Sequence, residues 1–87
     1  MSQRILIVED EPSISELIAI NLLHGAYVVD RAFQADEATQ LIRQTMPDLI
    51  ILDWMLPGKS GVQFAKELRA NEATAMVPIL MLTAKIF

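Results

Sequence analysis

Cysteine is absent from the 87 residues, which excludes a disulfide scaffold and a thiolate metal site and leaves the cytoplasm as the default compartment. No apolar run approaches the roughly 20 residues of a bilayer-spanning helix. The opening Met1-Ser2-Gln3-Arg4 leads into only four apolar residues, 5–8, before the acids Glu9, Asp10 and Glu11, so no secretory signal pattern is present. A soluble cytoplasmic protein without membrane contact is the expectation. Basic residues are also in the minority, 7 against 11 acidic ones, for a net charge of −4. That balance argues against this chain itself gripping nucleic acid, which needs a basic face. With three glycines and four prolines there is no low-complexity tract and no linker, and no repeat is evident, so residues 1–87 read as one domain.

Apolar side chains, by contrast, are plentiful at 53% of the chain. A domain this small buries a low fraction of its surface, so the excess predicts faces that another segment or chain covers. Four β-rich runs recur, at 5–8, 27–29, 49–52 and 79–82. Helical patterns separate them. The first follows Pro12, with Ser13 and Glu16 in capping-box spacing and Gly25 where a helix stop belongs. Its apolar residues Ile14, Leu17, Ile18, Ile20, Leu22 and Leu23 run nearly all the way round, more than one wet face requires. The second, residues 35–45, gathers Ala38, Leu41, Ile42 and Thr45 on one face, favours its N-terminal end with Asp36 and Glu37, and cannot pass Pro47. The third opens at Ser60, with Gln63 in capping spacing, and buries Val62 or Phe64, Ala65 and Leu68. Strand alternating with helix predicts an α/β fold of βαβ units around a parallel sheet, with loops at 55–59 and 70–76.

In such a sheet Glu9 and Asp10 follow the first strand, Asp53 ends the third and Thr83 ends the fourth, which brings all four to one edge. Crowded carboxylates repel and raise at least one pKa unless a cation neutralises them. Hard oxygens in this arrangement suit Mg²⁺.

Three segments then agree on a family. ILIVEDEP (5–12), PDLIILDWMLPGKSG (47–61) and VPILMLTA (77–84), in that order and spacing, resemble the receiver domain of two-component response regulators. The wording LDWMLPG is most similar to the PhoB-like members of the OmpR/PhoB family. The resemblance implies a doubly wound, flavodoxin-like fold with strand order 2-1-3-4, truncated to βαβαβαβ. It implies Asp53 as phosphoryl acceptor from a sensor histidine kinase. Glu9, Asp10, Asp53 and the backbone carbonyl of Met55 would hold Mg²⁺, and Thr83 would hydrogen-bond the phosphoryl group and act as a switch. Pro57 and Gly58 would shape the loop that turns the Met55 carbonyl toward the metal.

Against the family pattern, the chain stops at Phe87, before the fifth strand with its Lys, the last two helices and a DNA-binding effector domain. Lys59 and Lys85 do not occupy the position of the missing Lys. The loss predicts an exposed edge at 79–82, an uncovered flank around Ile20 and Leu23, and self-association, as a dimer or larger assembly, with 79–87 at the contact. One rival reading is a haloacid-dehalogenase-type phosphatase, but Met55 stands where its second acid belongs. A second is an interaction module that has lost the switch. Among the remaining residues, Trp54 reads as a packing residue, His24 as a helix-end cation, and Met46, Met55, Met76 and Met81 as core or loop filler. Arg43, Lys66 and Arg69 read as solvated helix charges.

Overall fold

The computed structural model describes residues 2–82. Seven elements alternate along the chain: β1 (Arg4–Val8), α1 (Pro12–His24), β2 (Val28–Ala32), α2 (Ala35–Gln44), β3 (Leu49–Asp53), α3 (Gly61–Ala70) and β4 (Ile79–Leu82). The strands form one parallel sheet in the order β2-β1-β3-β4. Successive β1-α1-β2 and β2-α2-β3 crossovers run in opposite directions across the sheet. Right-handed crossovers therefore put α1 on one face and α2 on the other.

Period-two alternation divides the central strands between those faces. Leu6 and Val8 of β1 and Ile50 and Leu52 of β3 join Ala35, Ala38 and Ile42 of α2, and Phe64 and Leu68 of α3, in one buried cluster. Ile5, Ile7 and Ile51 are equally buried but lie outside it, under α1. Both sides of β1 and β3 are thus dry, which is why these strands read as continuous apolar runs.

Two details here differ from the sequence reading. The second strand starts and ends later than 27–29, because edge strand β2 pairs with β1 over five residues and accepts Asp30 and Arg31 within it. Arg4 and Asp30 form an ion pair at 2.6 Å there, so charge inside the strand has a partner. Helix α1 lacks the expected capping box: Glu11 is the N-cap, Pro12 occupies the first turn, and the Ser13 hydroxyl donates to Glu11 Oε1 at 3.1 Å. Proline needs no N–H partner at that position, so the helix begins ahead of the serine. At the other end the helix stops at Gly25 as expected, and Ala26 beside it takes the left-handed backbone with φ 65°. The Tyr27 and Ala26 amides donate to the carbonyls of Leu22 and Leu23, which is a Schellman closure. Gly25 serves a different need, since a Cβ there would meet the Tyr27 ring at 2.9 Å.

Helix α3 follows the sequence reading, as Ser60 accepts from the Gln63 amide at 3.1 Å. Of the apolar candidates on it, Phe64 and Leu68 are buried and Val62 and Ala65 half-buried. Arg69 is more than a solvated charge: its guanidinium donates to the carbonyls of Ala75 and Val77 at 3.0 and 2.7 Å and ties the loop before β4 to α3. The methionines at 46, 55, 76 and 81 are exposed rather than core filler.

Candidate functional site

Because all four strands are parallel, their C-terminal ends share one edge of the sheet, and the acids gather there. Glu9 continues the β1 ladder, its amide donating to the Ala32 carbonyl at 3.0 Å. Asp53 is the last residue of β3, in register with Leu82. Carboxylate oxygens of Glu9, Asp10 and Asp53 all lie within 4.8 Å of one another. Glu9 and Asp53 are each only 1% exposed, whereas Asp10 faces solvent. The charge that ends the apolar run of β3 therefore sits at a dry strand end among other acids.

Two backbone donors orient these groups. The Glu11 amide donates to Glu9 Oε2 at 3.0 Å, and the Met55 amide donates to Asp53 Oδ1 at 3.2 Å. Burial pushes the Glu9 carboxyl above its ordinary value; the Glu11 amide pulls it down, and the carboxyls of Asp53 and Asp10 push it up again. A divalent cation would reverse the rise, since it favours every carboxylate around it. The donor set is all hard oxygen, with two carboxylates buried and one open to water, and fits Mg²⁺, which keeps several waters in its octahedron.

Around the cluster, Gly58 takes a left-handed φ of 73° in the loop after β3, a conformation suited to glycine. Lys59 is drawn away from the acids, its Nζ bonded to Glu67 at 2.6 Å on α3. Trp54 flanks Asp53 but is about half exposed, so it borders the site without filling the core. Thr83 lies outside the described residues.

Two contributors escaped the sequence reading. Arg31 donates from Nε to the hydroxyl of Ser15 at 2.8 Å and reaches the Pro12 carbonyl at 3.3 Å, which anchors the first turn of α1 directly behind the acidic loop. Ser15 is fully buried and is 16 positions away, so no spacing rule pairs the two. Gly61 opens α3 against the end of β3, its amide donating to the Trp54 carbonyl at 2.9 Å. A glycine at the first helical position was the available signal.

A parallel sheet of order 2-1-3-4 with an acidic cluster at its C-terminal edge defines a doubly wound α/β protein, and such sheets bind their ligands at that edge. The family model described as response regulator receiver domain matches residues 5–86, and the chain belongs to that family. It is 44% identical over 85 residues to the phosphate regulon transcriptional regulatory protein PhoB of Rhizobium meliloti, covering 98% of this chain and 37% of that protein. Against PhoB of Pseudomonas aeruginosa the identity is 46%, with the same coverage. The chain thus spans little more than a third of these curated relatives. Among solved structures, a response regulator from Chloroflexus aurantiacus superposes with a TM-score of 0.94 at 38% identity, covering 98% of this chain and 70% of that one. The receiver domain of the Pseudomonas aeruginosa sensor histidine kinase PA1611, solved with magnesium in its active-site cleft, gives 0.89 at 33%, again covering 98% and 70%. Among the described residues, no helix is long and apolar enough to cross a membrane.

Proposed function

We propose that this chain is the phospho-accepting receiver module of a two-component transcriptional regulator, working in the cytoplasm and fed by a sensor histidine kinase. The observation that carries the reading is the convergence of Glu9, Asp10 and Asp53 at one edge of the sheet, with Asp53 held by the Met55 amide. An Asp53 carboxylate oxygen attacks phosphorus; the P–N bond to the kinase imidazole breaks, and the released imidazole takes up a proton from solvent. The reaction asks little covalent work of the protein beyond positioning and charge neutralisation. Glu9, Asp10, Asp53 and the Met55 carbonyl would hold Mg²⁺, which would supply positive charge to offset the phosphoryl oxygens. Thr83 takes the role of hydrogen-bond donor to the phosphoryl group and relays its arrival to the surface. The haloacid-dehalogenase-type phosphatase reading is disfavoured, because Met55 stands where that signature wants its second acid, and DNA contact is left to an effector domain outside residues 1–87.

Acetyl phosphate with Mg²⁺ tests this reading by intact mass. One phosphoryl group is expected on the unchanged chain and none on Asp53→Asn, and labelling that persists in the variant would place the acceptor elsewhere. Trp54, next to the acceptor and half exposed, reports Mg²⁺ directly: its fluorescence titration is expected to flatten in Asp10→Asn.

The exposed apolar residues favour self-association as a further property. Leu80 of edge strand β4 is 54% exposed, and Leu17, Ile20 and Leu23 line the outer side of α1. Unpaired strand edges recruit other chains. Light scattering is expected to give a dimer or larger assembly, and a dilution-resistant monomer would refute it.

A further inference from the structure

Gly61 is buried at the first turn of α3, directly behind the acceptor's own backbone. A Cβ placed on it would overlap the Asp53 carbonyl oxygen and stand 2.9 Å from the Asp53 carbonyl carbon and 3.0 Å from Trp54 Cα. These are main-chain atoms, so no side-chain rotation can make room.

Nor can either partner move freely. The Asp53–Trp54 peptide is held from the β4 side by the Trp54 amide, which donates to the Leu82 carbonyl at 3.3 Å, and the peptide that follows it is held from the α3 side by the Gly61 amide on the Trp54 carbonyl at 2.9 Å. Rotating the first would swing the Asp53 side chain away from the Met55 amide that holds Oδ1. Lifting α3 instead would break the Gly61 bond and withdraw Phe64, 2% exposed and one turn further on, from the core. Glycine otherwise brings a helix nothing, being a weaker helix former than alanine. Its presence at a helix start already capped by Ser60 is explained by the close approach and not by the helix.

We infer that Gly61 is a positioning residue for phosphoryl transfer: by letting α3 start in contact with the Asp53–Trp54 peptide, it sets where the Asp53 carboxylate stands relative to the other two acids. The inference rests on Asp53 being the acceptor. It differs from a packing role in what it demands. A residue that only stabilises the fold changes the folded fraction, whereas a positioning residue changes the reactivity of the folded molecule.

The test compares the unchanged chain with Gly61→Ala and Ser60→Ala, each with Mg²⁺ and acetyl phosphate, at a temperature where circular dichroism reports full folding. Ser60→Ala weakens the start of α3 by removing its cap but adds no atom near Asp53, so its labelling rate is expected to match the unchanged chain. Gly61→Ala is expected to lose roughly tenfold to a hundredfold in labelling rate at saturating phosphodonor, the scale of a reacting group displaced by about an ångström. A folded Gly61→Ala that labels at the normal rate, or a Ser60→Ala that loses as much, overturns the inference while leaving Asp53 as acceptor. An unchanged chain that takes no label, or one still labelled in Asp53→Asn, overturns the acceptor reading and the inference with it. Should Gly61→Ala fail to fold, amide hydrogen exchange on the unchanged chain decides. The Gly61 amide is expected to be protected and to shift on phosphorylation, and an amide exchanging like an open loop, or indifferent to the label, overturns the inference.

Discussion

The two faces of the sheet are covered by different means. On one, α2 and α3 seal the strands with Ala35, Ala38, Ile42, Phe64 and Leu68, joined to Leu6, Val8, Ile50 and Leu52 in a continuous apolar cluster. On the other, α1 carries far more apolar side chain than α2, yet its fully buried residues are Ser15 and Ala19, while Leu17 and Leu23 stand 63% and 58% exposed. What secures α1 at its start is polar: Arg31 bonded to the Ser15 hydroxyl and the Pro12 carbonyl, with its guanidinium 5.6 Å from the centre of the Phe33 ring. The apolar content of a helix therefore does not measure how much of the core it builds. Placement does, and α2 with few apolar residues on one side buries them all the better.

Truncation separates the two faces most sharply. Phe64→Ala, which empties the α2–α3 side, is expected to cost about 3–5 kcal/mol. Leu17→Ala on the outside of α1 is expected to stay within about 0.5 kcal/mol in chain dilute enough to be monomeric, as exposed sites do. Urea unfolding of the two variants under those conditions checks both, and equal costs would mean that α1 packs on the sheet through its Leu17 side. Next in size is the polar clamp. Arg31→Ala leaves the buried Ser15 hydroxyl without its guanidinium and is expected to cost about 1–3 kcal/mol. The double variant Arg31→Ala with Ser15→Ala is expected to recover part of that loss, and simple additivity would show that the pair does not hold α1.

Between the faces, at the end of β1, Glu9 gives the fold a pH dependence. Its folded carboxyl holds a proton at higher pH than the ordinary value of 4.5, so above that value the folded chain binds more protons than the unfolded one. Stability is then expected to decline as pH rises from about 4.5 through the raised folded value, the reverse of a carboxylate in an ion pair. Glu9→Gln is expected to remove this part of the decline, and Mg²⁺, which binds the ionised form, to oppose it. Melting temperatures across pH with and without Mg²⁺ check the sign; a stability that climbs with pH in the metal-free chain would contradict the burial argument.

The smallest effect lies where α1 turns into β2. Ala26 holds a left-handed φ, so Ala26→Gly relieves a strain of about 1–2 kcal/mol at the expense of unfolded-chain entropy. A net gain of roughly 0.5–1 kcal/mol is expected by thermal unfolding, while Gly25→Ala is expected to destabilise through the Tyr27 ring.

Much of this was legible in the residues themselves. Apolar runs of strand length, alternating with helical patterns and punctuated by Pro12, Pro47 and Ser60, determined the order of elements, because local propensity and period act over a few residues. The positions of Glu9, Asp10 and Asp53 at run ends foretold their shared edge, because parallel pairing leaves strand C-termini no other place to lie. Tertiary structure alone decided that Ser15 would meet Arg31 and that Gly61 would start a helix against the Asp53–Trp54 peptide. Each of these depends on where two distant pieces of backbone come to rest, a quantity no local pattern contains.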